Sequence, residues 1–258
     1  MTDVLSTIDH RPYALPAGRW RMAQRWNDLL FAHWPISVDA MERLLPKRLA
    51  VDSFDGYAWA GVVPFWMDQV RTRTAGELAL TVPGTASFAE LNLRTYVRSR
   101  VTGQRGVYFF SLDAASLLAV LGARTLFHLP YFWAKMRRET KGDGTIQYES
   151  SRLLTGKSVR FSTEYRGLGV VKTSAPGTLD HFLTERYCLF TDHVTDRGSC
   201  VSVGEIHHLP WPLEAAEAEI RVNELPAAHG LVLPHRAPVL HFAKELHVYI
   251  WSLHDDSE

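Results

Sequence analysis

The sequence predicts an α+β domain, mostly antiparallel β, with a few short helices between long strands. Three observations carry that prediction. Alternating apolar and polar stretches arrive in runs, separated by Gly, Pro and Asp turns, which argues against regular βαβ units. Helical spacing with a plausible cap residue occurs only in short segments. Eight Trp, nine Tyr and twelve Phe in 258 residues suit a thick core or an aromatic-lined cavity.

Taken in order, residues 1–18 hold Pro12, Pro16 and Gly18 and read as an irregular arm on one domain spanning 1–258. Residues 20–34 read as a strand. Ser37 is placed to cap a short helix carrying Met41 and Leu44, which Pro46 stops. Asp55 and Gly56 make a turn, and residues 57–70 a long strand in which Pro64 implies an edge or a bulge. A loop over 71–87 follows. Residues 88–113 read as a hairpin around the turn Gly103-Gln-Arg-Gly106. Ala114 opens a helix to 124, with Asp113 as its expected N-cap. Residues 147–154 and 158–165 form a second hairpin, 179–184 a short helix or turn, and 186–191, 201–209 and 239–253 further strands.

Composition excludes several functions. The chain has 28 basic and 28 acidic residues, and a zero net charge argues against a nucleic-acid binder. No apolar run reaches the length of a membrane span. With two cysteines, Cys188 and Cys200, and no leader pattern at the N-terminus, the chain reads as cytoplasmic. Neither a Gly-rich nucleotide loop nor a Gly-x-Ser-x-Gly elbow occurs, so no cofactor is expected. His207 and His208 point to opposite faces of a strand, and His241 and His247 lie too far apart to share one ion, so no metal site is expected.

The residues with chemical potential form three groups. On the strand over 88–99, period two puts Glu90, Asn92, Arg94 and Tyr96 on one face and Leu91, Leu93 and Val97 on the other. The polar row suits a pocket wall, with Arg94 binding a carboxylate or phosphate and Glu90 moving a proton. It equally suits a solvated face with a cross-strand ion pair. Tyr108, on the return strand, is expected beside Tyr96, sharing its face with Phe110 and Leu112. Arg124, His128, Tyr131 and Lys135 form a second group in which a buried Tyr or Lys beside a cation would act as acid or base; alternatively His128 and Tyr131 pack at a helix end and Lys135 extends to solvent beside Arg137 and Arg138. The third is Arg186, between Glu185 and Tyr187, which either faces the same cavity or makes a local surface pair.

The stretches Glu90-Leu-Asn-Leu-Arg-Thr-Tyr-Val, Gly106-Val-Tyr-Phe-Phe-Ser-Leu-Asp-Ala and Phe54-Asp-Gly-Tyr-Ala-Trp-Ala-Gly-Val-Val-Pro-Phe carry a family resemblance, as do Phe182-Leu-Thr-Glu-Arg-Tyr and Val239-Leu-His-Phe-Ala. Together they resemble the bacterial YqjF-like family, which is similar to a distant branch of the acetoacetate decarboxylase superfamily. The resemblance covers roughly residues 24–253. It implies an acetoacetate decarboxylase-like large β barrel or cone with its cavity inside the barrel, and no assigned activity. The decarboxylases use a Schiff-base lysine within a lysine pair. Here Tyr131 and Phe132 stand where that pair is expected, which argues against Schiff-base decarboxylation. Glu90 matches a glutamate of the decarboxylase pocket.

Three functions remain open at this stage. The chain binds a small anionic or carbonyl compound in an internal cavity, through Glu90, Asn92, Arg94, Tyr96, Tyr108, Arg124, His128 and Arg186. Or it is a lyase or hydrolase without the lysine, with Glu90, Tyr131 or Lys135 transferring protons. Or it is a structural or interaction protein whose barrel is filled. A homodimer through strand edges fits this class.

Overall fold

The structure is a computed structural model that describes residues 4–73, 79–80, 84–126, 129–156, 158–195 and 198–257. Its elements in chain order are β1 (Met22–Ser37), α1 (Val38–Glu42), β2 (Leu49–Val51), β3 (Tyr57–Arg73), β4 (Ala79–Leu80), β5 (Phe88–Ser99), β6 (Arg105–Ala114) and α2 (Leu117–Leu126). They continue with β7 (Tyr131–Thr140), β8 (Ile146–Arg152), β9 (Arg160–Gly167), α3 (Leu179–Thr184), β10 (Cys188–Thr195), β11 (Gly198–His207), β12 (Leu213–Asn223), α4 (Leu225–Ala228), β13 (Val239–Ile250) and β14 (His254–Asp255). Among the described residues no helix is long and apolar enough to cross a membrane.

The expected β-rich α+β class is what the chain adopts, as a closed mixed barrel of nine strands with four short α-helices among the described residues. The ring runs β5–β6–β7–β8–β9–β12–β13–β1–β3 and back to β5. Its pairings are antiparallel except β6 with β7. A second ring shares five of these strands. It leaves β6 through a parallel pairing with β10, passes to β11, and rejoins β13 at Ile206 opposite Ile250.

Period two along the shared strands sends alternate residues into the two rings. Leu30, Val62, Leu91 and Leu93 pack with Tyr148 and Phe161 from β8 and β9, and this cluster fills the nine-strand barrel. Their neighbours Leu29, Val63 and Phe65 pack with Trp211, Leu246 and Val248 on the other side. The first barrel is therefore a packed core. A cavity lined by described residues lies on the second-ring side of the shared strands, whereas the resemblance implied one inside the barrel.

Bulges tune which residue faces where. Asp28 has φ 51° and lies in the β1–β3 irregularity between Asn27 and Ala32, where β1 carries one residue more than β3. The extra residue lets Trp26 and Leu29, three apart, face the same way. Asp28 is itself buried, bonded to Arg138, to Lys244 at 2.5 Å and to the Trp66 indole at 3.1 Å. Pro64 sits in the β1–β3 irregularity between Asn27 and Ala32, as its sequence position suggested. Ser37 caps α1 by accepting from the Ala40 N–H at 3.1 Å.

Two local expectations change. Asp113 does not cap α2: Ser116 accepts the Ala119 N–H, while Asp113 is wholly buried against Arg152. The strand β12 has no counterpart among the elements expected from sequence. Its Leu-Glu-Ala-Ala-Glu-Ala-Glu composition is poor in strand formers, and pairing with β9 and β13 overrides that preference.

Candidate functional site

A cavity of about 670 Å³ lies within the second ring, and each of the seven strands of that ring contributes to its wall. Its polar strip is β5. Glu90, Asn92 and Arg94 all line it, while Leu91 and Leu93 point into the filled barrel.

Neighbouring strands set the strip in place. Across β3, Phe65 stands opposite Glu90, Val63 opposite Asn92 and Gly61 opposite Arg94. Gly61 is glycine for a spatial reason. A Cβ there would lie 2.9 Å from the His33 ring and 3.3 Å from Arg94 Cγ. On the other side, Asn92, Leu112 and Tyr131 align across β5, β6 and β7. The parallel β6–β7 pairing thus carries Tyr131 to the cavity, a contact between distant segments.

Glu90 is 3% exposed. The Tyr131 hydroxyl donates to its Oε2 at 2.7 Å. Behind it, the Tyr148 hydroxyl donates to the Glu90 backbone carbonyl at 2.7 Å. Burial pushes the Glu90 carboxyl up to about 8, opposed by the Tyr131 hydrogen bond and reinforced by the nearby Asp113 charge. At neutral pH this group is mostly a carboxylic acid, able to donate a hydrogen bond into the cavity. Burial and the Glu90 carboxyl together hold the Tyr131 phenol well above its ordinary range.

Arg94 is 8% exposed and stacks over Phe31 and Tyr96, its guanidinium carbon 5.1 and 5.7 Å from the ring centres. Its Nη2 donates weakly to the Leu183 carbonyl at 3.4 Å, and its Nε has no partner. Among the described residues no carboxylate pairs with it. The Asn92 Oδ1 and the Trp211 Nε1 on the same walls are also buried without partners. Arg186 differs: its guanidinium lines the cavity but is neutralised by Asp52 at 2.6 Å.

Other residues singled out from sequence fall elsewhere. Tyr96 lies behind Arg94. Its hydroxyl donates to the Leu183 carbonyl at 2.6 Å, so the neighbouring His33 Nε2, also 2.6 Å away, donates to it. Burial and the Arg94 charge lower His33 well below its usual range, so it is neutral. Tyr108 does not join Tyr96. β6 carries an extra residue at Phe110, because Leu93 pairs with Ser111 and Arg94 with Phe109. Val107 and Phe109 therefore face the cavity before the bulge and Leu112 after it, while Tyr108 turns away and donates to Asp192 at 2.7 Å. Lys135 is exposed on β7, away from the cavity. The backbone of Arg124 lies in α2, its side chain is outside the described residues, and so is His128. Glu185 is no surface partner of Arg186: it accepts from the Tyr187 hydroxyl and the Trp211 N–H.

Cys188, which has no activating base near it in the sequence, lines the cavity at the start of β10, two residues after Arg186. Its thiol is pushed up to about 12 by burial, so it is protonated and unreactive. Period-two spacing from Arg186 was the signal that would have found it. No lysine is among the described residues of the cavity wall.

The architecture has solved counterparts. The solved structure of an acetoacetate decarboxylase from Legionella pneumophila superposes with a TM-score of 0.55 at 14% identity, over 95% of this chain and 94% of that one. An acetoacetate decarboxylase-like enzyme from Sphingomonas wittichii RW1 matches at 0.58 and 12% identity, over 96% and 98%. The enduracididine biosynthesis enzyme MppR, complexed with the condensation product of pyruvate and imidazole 4-carboxaldehyde, matches at 0.62 and 13% identity, over 93% and 91%. At these identities the likeness is one of fold: the chain is acetoacetate decarboxylase-like in architecture. Sequence gives the family itself. The model of the DUF2071 family, described as an uncharacterized conserved protein, matches residues 23–247. The protein YqjF of Bacillus subtilis (strain 168) is 45% identical over 240 residues, 93% of this chain and 94% of its own. The chain belongs to this YqjF-containing family.

Proposed function

We propose that the protein binds a small organic anion in the β5-walled cavity, with a carboxylate on Arg94 and a polar oxygen hydrogen-bonded by protonated Glu90. The observation that carries this reading is the Arg94 guanidinium, buried on a cavity wall with no carboxylate partner among the described residues. An isolated buried charge is costly, and a bound anion relieves that cost. The unpartnered Asn92 Oδ1 between the two groups suits a ligand donor such as a hydroxyl. Ligands of similarly folded proteins agree in kind, since MppR has been obtained complexed with pyruvate. Only two cysteines in 258 residues, Cys188 and Cys200, suit a reducing compartment such as the cytoplasm.

A second reading, enzymatic turnover, is favoured by the Glu90–Tyr131 pair. A carboxyl near 8 gives and takes protons readily at neutral pH. With no lysine on the described wall, this reading uses acid–base chemistry on a non-covalently held carbonyl compound and not a Schiff base.

The test is a thermal-shift screen of carboxylates against the native chain and Arg94→Gln. Stabilisation by at least one carboxylate, lost in the variant, supports the proposal. Equal stabilisation of both chains sinks it.

A further inference from the structure

The anion site is one strip of the cavity wall, Glu90 to Arg94 on β5, about 14 Å of strand at about 3.4 Å per residue. The remaining walls are largely hydrocarbon, including Trp26, Phe65, Phe88, Phe109, Leu112 and Trp211. At roughly 30 Å³ per water, 670 Å³ is room for about twenty waters. A short keto acid on Arg94 would leave most of that space to water facing apolar walls, where water finds few hydrogen bonds. A long apolar body would fill it.

The mouth supports the same conclusion independently. Leu118 on α2 both lines the cavity and is 56% exposed, so it stands at the rim. Leu117 and Leu121 on the same helix are 41% and 52% exposed. Exposed large apolar side chains clustered at an opening mark a place where an apolar ligand meets the protein.

We infer that the ligand is a monocarboxylic acid with a long apolar body, of the medium-chain oxo or hydroxy fatty acid kind, whose chain oxygen is the one Glu90 holds. Its head lies on Arg94, and its body runs across the aromatic wall toward α2. This rests on the reading of Arg94 as an anion anchor and adds the size and character of what the anchor holds.

Calorimetric titration of the full chain with butyrate, hexanoate, octanoate, decanoate and acetoacetate tests it, all below their micellar concentrations, with 1-octanol as the head-group control. Burial of each added methylene should tighten binding about two- to fourfold. Octanoate should bind at least tenfold more tightly than octanol, and Arg94→Gln should reduce octanoate to the level of octanol. Ala119→Phe, at a partly buried α2 position on the cavity wall, should move the preferred chain length downward, and it keeps the test open should Arg94→Gln fail to fold. Acetoacetate and butyrate binding as tightly as decanoate would overturn the inference while leaving the Arg94 reading intact. Octanol matching octanoate in the native chain would overturn both, as would the absence of binding by every acid.

Discussion

Glu90→Gln separates the protonation of Glu90 from everything else at the site. The folded chain holds the Glu90 proton up to about pH 8, whereas an ordinary glutamate releases it near 4.5. Between those values the folded state binds one more proton than the unfolded chain, so stability falls as pH rises. The contribution is fully present below 4.5 and is lost by the time pH passes 8. At about 1.4 kcal/mol per pH unit, the native chain loses about 3–4 kcal/mol through this group between pH 5 and 8. The amide of Glu90→Gln cannot ionise, fills the same volume and still accepts from Tyr131. Asp113, whose carboxyl is also raised by burial against the pull of Arg152, is present in both chains and cancels in the difference. Urea unfolding of both chains at four pH values from 5 to 8 reads that difference directly. The native chain should lose stability relative to the variant by about 1 kcal/mol or more per unit. Parallel curves would mean that Glu90 ionises normally in the fold, and the argument for a proton donor in the cavity would fail.

Three further outcomes follow from contacts at the site. In Tyr131→Phe the hydrogen bond that lowers the Glu90 carboxyl is gone, so its midpoint moves above 8; the carboxylic acid band in infrared spectra should persist to higher pH. Arg152→Met strands Asp113, which is wholly buried and receives the Arg152 Nε at 2.9 Å, and should cost about 3–5 kcal/mol in chemical unfolding. A change below 1 kcal/mol would show that Asp113 is neutral without its partner. Gly61→Ala drives a methyl against the His33 ring and the Arg94 stem, and should cost about 1–3 kcal/mol and weaken carboxylate binding together.

These tests concentrate on β5 because that strand was the part of the site most legible in the sequence. Period two alone puts Glu90, Asn92 and Arg94 on one face, and the cavity wall carries all three. Tyr96 shares their parity but lies behind Arg94. Twist and side-chain packing decide how far along a strand a pocket extends, and parity carries neither. Lys135 shares parity with Tyr131 in the same way, yet β7 has left the cavity by the time the chain reaches it.

Local chemistry in the sequence determined the β-rich class, the hairpin of β5 and β6, the Ser37 cap and the irregularity at Pro64. Each depends on a few adjacent residues and on rules of one or two turns' range. Only the tertiary structure decided that the shared strands serve two rings, one filled and one open. The irregularity around Asp28 in the β1–β3 pairing and the extra residue at Phe110 in β6 each reset the alternation by one residue, and nothing in their immediate neighbours announces a bulge. The parallel pairings of β6 with β7, across α2, and with the distant β10 bring Tyr131 and Cys188 to the wall that β5 begins. Such registers are fixed by the packing of both faces at once. The sequence therefore shows which side chains share a strand face, and the fold alone decides which space that face encloses.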